Sequence, residues 1–85
     1  MKEFAYTITD PLGIHARPAG VLVKEAAKFK SEITIEKDGK KADAKKIFGL
    51  MGLGVKQGNT ITVRVGGEDE EAAITAMEAL IKENL

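Results

Sequence analysis

One stretch of the sequence concentrates groups that can do chemistry. In GIHARPAG, residues 13–20, the chain's single histidine, His15, stands two residues ahead of Arg17 and three ahead of Pro18. An imidazole is a nucleophile through its unprotonated nitrogen, and a guanidinium grips phosphate oxygens through paired N–H donors. Together they suit a bound anion, or a phosphoryl group carried on the ring. No Ser, Cys or Asp in the local sequence forms an obvious triad with His15 for general-base work. No second ligand stands two, three or four residues away, so no metal site is indicated. The short His-x-Arg-Pro pattern is also compatible with an ordinary helix start whose histidine merely caps it or faces water.

The elements that must position these residues follow from the hydrophobic pattern. Ala19, Leu22, Val23, Ala26 and Phe29 recur at helical spacing, predicting a helix from Ala16 to Lys30 with Lys24, Glu25 and Lys28 on its outer face. Pro18 fits the first turn, where its missing N–H would have had no intrahelical partner. A helix N-terminus leaves amides unpaired and carries about half a positive charge, which favours anions. With His15 as the cap, the amides of Ala16 and Arg17 lie beside the ring.

Upstream, residues 2–9 alternate as a half-buried strand, and DPLG breaks it. Ile33 and Ile35 share one face of a hairpin that turns at Asp38-Gly39 and returns over Lys41 to Ala44. KKIFGLMGLG reads as a short helix ended by Gly54, with Gly49 and Gly52 allowing close packing or a turn. NTITVRVGG places Ile61, Val63 and Val65 inward. The last segment opens with acids and carries Ile74, Met77, Leu80 and Ile81 as an apolar stripe. The order is βαββαβα, predicting an α+β domain over residues 1–85, its antiparallel sheet covered by helices on one side.

Composition narrows the function classes. The 85 residues carry 13 basic and 13 acidic side chains, so net charge gives no support to nucleic-acid binding. Residues 37–46, KDGKKADAKK, are basic and read as a solvated hairpin and loop. Without cysteine there are no disulfides or thiolate sites. The first residues lack an apolar leader pattern and no run reaches membrane-spanning length, so a cytoplasmic protein without membrane insertion is expected. GLMGLG has neither the order of a dinucleotide loop nor the Lys-Ser/Thr of a P-loop.

Taken whole, the chain resembles the HPr family, the histidine-containing phosphocarriers of the bacterial phosphoenolpyruvate:sugar phosphotransferase system. GIHARPAG resembles that family's active-site segment, and AKKIFGLMGLGVKQGNTITV resembles its second signature. The resemblance covers nearly all of the chain. It implies the open-faced β-sandwich, a four-stranded antiparallel sheet with three helices on one face. It implies that His15 is phosphorylated on Nδ1 by Enzyme I and passes the group to enzyme IIA components of sugar permeases. Arg17 would steady the phosphoryl group, with the helix start at Ala16, Arg17 and Pro18 binding its oxygens. The resemblance implies a monomeric carrier rather than a free-standing enzyme, with no cofactor of its own.

Ile47, Phe48 and Met51 on the short helix would dock partners, joined by Gly20, Lys24 and Lys46, while Ile47 and Leu50 also suit the core. Lys24 and Lys28 suit acidic partner rims. Where many members carry a regulatory serine, position 46 here is Lys, so a serine-linked switch in catabolite repression is not expected. Lys46 itself suits an acidic docking surface. Gly20 replaces the family's more usual Ala or Thr, which implies a slightly weaker helix. Two other readings stay open: an HPr-like regulator that binds partners without being phosphorylated, and a small anion-binding α/β module.

Overall fold

The computed structural model describes residues 1–85 and has seven elements: β1 (Lys2–Thr7), α1 (Ala16–Ala26), β2 (Glu32–Lys37), β3 (Lys40–Asp43), α2 (Ile47–Gly52), β4 (Thr60–Gly66) and α3 (Glu70–Asn84). The strands form one sheet in the order β1-β4-β2-β3, with each neighbouring pair antiparallel. That order makes β1 parallel to β2, and β3 parallel to β4. Parallel strands cannot be joined by a tight hairpin, so helical crossovers α1 and α2 make those two connections. β4 fills the space between β1 and β2.

Alternation along the central strands divides the sheet into two faces. Ile33, Ile35, Ile61, Val63 and Val65 are buried beneath the helices. They meet Leu22 and Ala26 of α1, Leu50 of α2, and Ala73, Met77 and Ile81 of α3 in one core. At the edge, Phe4 and Tyr6 are only half-covered. The other face is polar, and Arg64 pairs there with Glu3 at 3.4 Å and with Glu36. The hydrogen bond from Arg64 holds the Glu36 carboxyl below its ordinary range and raises the guanidinium, each charge favouring the other.

The hairpin turns through left-handed conformations at Asp38 and Gly39, φ 51° and 81°, which match the right-handed twist of the flanking strands. α1 ends at Ala26, short of the Lys30 expected from its apolar spacing. The chain is drawn away there by α3's cap, because the Lys30 and Ser31 amides donate to the Asp69 carboxylate, each at 2.9 Å. The Ser31 hydroxyl donates to the same carboxylate at 2.5 Å.

The basic run is more than a solvated face. Lys37 Nζ donates to the Gly54 carbonyl just past α2 at 3.1 Å, and Lys45 Nζ donates to the Phe29 carbonyl at 2.8 Å. Gly54 ends α2 in a left-handed conformation, φ 66°, as its place after an apolar helix suggests. Close packing does not explain Gly49 or Gly52: a methyl at Gly49 would meet nothing nearer than 3.7 Å, and one at Gly52 nothing within 4 Å.

Candidate functional site

His15 is positioned by a loop that two distant segments hold in place. After β1 the Ile8 amide donates to the Asn59 carbonyl and the Gly58 amide to the Ile8 carbonyl, both at 2.9 Å. The Thr9 and Asp10 amides then turn away from the sheet to the Leu85 carbonyl at 2.7 and 2.8 Å. Gln57 Nε2 reaches the Thr9 carbonyl at 3.1 Å, giving the Gln-Gly of the second segment a role in this loop. Gly13 closes the turn at φ 66°, and a Cβ there would lie 2.1 Å from the Val55 carbonyl oxygen. Only glycine permits that approach. The next amide, of Ile14, donates to that same carbonyl at 3.2 Å.

His15 is the N-cap of α1, extended at φ −100° and ψ −174°, as the position of Pro18 predicts. Its carbonyl accepts the Ala19 amide at 3.0 Å, closing the first turn. The ring makes no capping bond and is about one-third exposed (35 %). The Ala16 and Arg17 amides have no acceptor within the protein, and Pro18 is buried with no N–H to offer. Arg17 is exposed, and its guanidinium enters no ion pair or hydrogen bond. Two free amides and a free guanidinium therefore stand within two residues of the imidazole, an arrangement suited to phosphate oxygens.

Local sequence suggested no partner for the ring, but the fold supplies one nearby. Asp10 Oδ1 lies 3.8 Å from His15 Nε2. The signal was present in DPLG, where an Asp opening a turn accepts the amide two residues on. Leu12 N does donate to Asp10 Oδ1, at 2.8 Å. That the same carboxylate also faces the histidine follows from the folding back of the loop, which sequence spacing does not reveal.

The docking residues divide by exposure. Phe48 is almost fully exposed at 86 % and Met51 partly so, whereas Leu50 is buried and Ile47 half-buried against the core. Gly20, one turn beyond His15 on α1, faces Ile47, whose Cδ1 would lie 4.0 Å from an added Cβ. α1 and α2 thus lie side by side, with Gly20 at the crossing. Lys24 and Lys46 are exposed and form no salt bridge, while Lys28 pairs with Glu25 of its own helix at 3.0 Å. Leu12 in the His15 loop is a further exposed apolar side chain that the turn reading passed over.

No helix is long and apolar enough to cross a membrane. No three His, Cys, Asp or Glu side chains are grouped to hold a metal ion. The two surface depressions are lined mainly by polar residues of β2 and β3, with Arg64 and Met1, and neither includes His15.

Comparison with known proteins agrees with this geometry. Residues 2–83 match the PTS-HPr family model, described as the PTS HPr component phosphorylation site. The chain is 45 % identical over 85 residues to the phosphocarrier protein HPr of Mycoplasma genitalium, covering 99 % of this chain and 97 % of that protein. A crystal structure of HPr from Thermoanaerobacter tengcongensis superposes with a TM-score of 0.92 at 49 % identity, covering 98 % of this chain and 93 % of that one. A structure of an HPr dimer from the same organism matches at a TM-score of 0.77, again at 49 % identity, over 98 % and 95 % of the two chains. Fold, helix start and lone histidine lead to the same conclusion: the chain belongs to the HPr family of phosphocarriers of the phosphotransferase system.

Proposed function

We propose that His15 accepts a phosphoryl group from Enzyme I and donates it to enzyme IIA components, acting in the cytoplasm as one domain over residues 1–85. The observation that carries this reading is the imidazole at the cap of α1, beside the unpartnered Ala16 and Arg17 amides and the free Arg17 guanidinium. These donors suit a phosphoryl dianion and need no rearrangement to meet it. Phe48 and Met51 provide the apolar docking surface, flanked by the Lys24 and Lys46 charges, and a monomer leaves that surface free. Methionine adapts to different partners because its side chain is unbranched and polarizable. The family's serine-linked switch has no acceptor here, since Lys46 has no hydroxyl and brings a positive charge where phosphoserine would bring a negative one.

The test is to incubate the protein with Enzyme I, magnesium and phosphoenolpyruvate, then measure intact mass before and after mild acid. Gain of one acid-labile phosphoryl group by wild type but not by His15→Ala is the expected result. Binding of Enzyme I without uptake would instead identify a regulator that kept the docking surface and lost the transfer chemistry.

A further inference from the structure

We infer that Asp10 is a positioning residue for phosphoryl transfer at His15, holding the ring by Nε2 so that Nδ1 remains the nitrogen that takes and gives the group. The inference deepens the carrier reading and rests on it. Asp10 Oδ1 lies 3.8 Å from Nε2, the only carboxylate within ion-pair distance of the ring, and the ring makes no hydrogen bond elsewhere. The carboxylate is itself held. Its Oδ1 accepts the Leu12 amide at 2.8 Å, the Asp10 carbonyl accepts the Gly13 amide at 3.0 Å, and the Asp10 amide is tied to the Leu85 carbonyl. The turn thus sets where the negative charge stands before any phosphoryl group arrives.

A carboxylate facing one ring nitrogen favours the proton on that nitrogen and leaves the lone pair on the other. In uptake the Nδ1 lone pair forms the bond to phosphorus. The donor's bond to phosphorus breaks, and its electron pair leaves with the donor. The ring becomes a phosphoimidazolium with its proton still on Nε2, beside Asp10. In donation an imidazole nitrogen of the acceptor forms the new bond to phosphorus, and the Nδ1–P pair returns to the ring as neutral imidazole. No proton moves in either direction. Asp10 keeps that proton on Nε2 throughout, so the phosphoryl group departs from an imidazolium and leaves neutral imidazole rather than imidazolate, and the resting contact shortens to a hydrogen bond as the ring charges. Arg17 and the free amides are left to the phosphoryl oxygens.

Asp10→Asn separates charge from scaffold, because Asn keeps an oxygen for the Leu12 amide. Wild type, Asp10→Asn and Asp10→Ala are phosphorylated with Enzyme I and phosphoenolpyruvate. Transfer to enzyme IIA and spontaneous loss of the phosphoryl group to water are then timed at fixed pH, with ¹⁵N spectra of the ring and thermal midpoints. For Asp10→Asn the expected result is an unchanged midpoint, both rates lowered about tenfold, and a weakened signal from the Nε2-bound proton of the phosphorylated ring. Rates within twofold of wild type would overturn the role. So would slow rates in Asp10→Ala alone with a lowered midpoint, since Asp10 would then only build the loop. Failure of wild type to take up phosphoryl would overturn the carrier reading and this inference with it; wild-type uptake with an indifferent Asp10→Asn overturns this inference alone.

Discussion

Arg17 keeps its N–H donors free of the rest of the protein, two residues from the imidazole proposed to carry the phosphoryl group. Donors placed where charge develops act most strongly in the transition state, so Arg17→Ala is expected to slow phosphoryl transfer by about 10²- to 10³-fold. Its thermal midpoint is expected to stay within a degree or two, because the side chain is exposed and unpaired. Arg17→Lys would restore the charge without the paired fork and recover only part of the rate. Stopped transfer assays beside thermal melts check both statements. His15 and Arg17 were legible because both lie within one helical turn. Asp10 was not, because its approach to His15 depends on Gly13, Val55 and Leu85 holding the loop.

α1 sets the direction of the site's free amides, and its first two turns contain the glycine that weakens it most. Gly20 has ordinary helical backbone geometry, and an added Cβ would stand 4.0 Å from Ile47 Cδ1, in contact without a clash. Gly20→Ala is expected to stabilise the protein by about 1 kcal/mol through the lower conformational freedom of the unfolded chain. That corresponds to a rise of about 4–8 °C in thermal midpoint for a domain of this size. Phosphoryl transfer should remain unchanged, and calorimetry with a transfer assay tests the pair of outcomes. Lys46 caps α2 with no side-chain bond to the backbone and no acidic partner. Lys46→Glu is expected to weaken binding to enzyme IIA about two- to fivefold at low salt, with Lys46→Ser between it and wild type. The difference should fade as salt rises. Titration calorimetry at two ionic strengths checks it, and equal affinities for all three proteins would remove Lys46 from the interface.

Across the whole molecule, one carboxylate joins α3 to the junction between α1 and β2. Asp69 accepts the Ser31 hydroxyl and the Lys30 and Ser31 amides, and these bonds hold it well below its ordinary 3.8, at about 2. The folded state therefore favours the ionised form. Its contribution is complete above the unfolded value and is lost as pH falls from about 4 through about 2. Acid titration of thermal stability should show wild type losing more than Asp69→Asn over that window. A parallel decline in both proteins would show that other carboxylates control acid unfolding. Close contact at the same junction also explains Gly67, where a Cβ would lie 2.8 Å from Ser31 Cα.

The periods and turn residues alone determined the element order and which faces of the strands and the two long helices turn inward, although Ile74 and Leu80 of the α3 stripe are only half-covered and Ala73 is buried with Met77 and Ile81. Alternation buries every second residue of a strand, Pro18 marks a helix start, and Asp38-Gly39 allows a left-handed turn. Those rules act over a few residues, so a few residues reveal them. Only the tertiary structure decided that β4 lies between β1 and β2, that α1 stops four residues early for Asp69, and that Lys37 and Lys45 seal carbonyls rather than face water. It alone set Asp10 against His15. These outcomes depend on groups distant along the chain, brought together when the sheet and helices close over one core. Their hydrogen bonds and charges have short reach, so they are decided by final positions in space, which local sequence patterns do not encode.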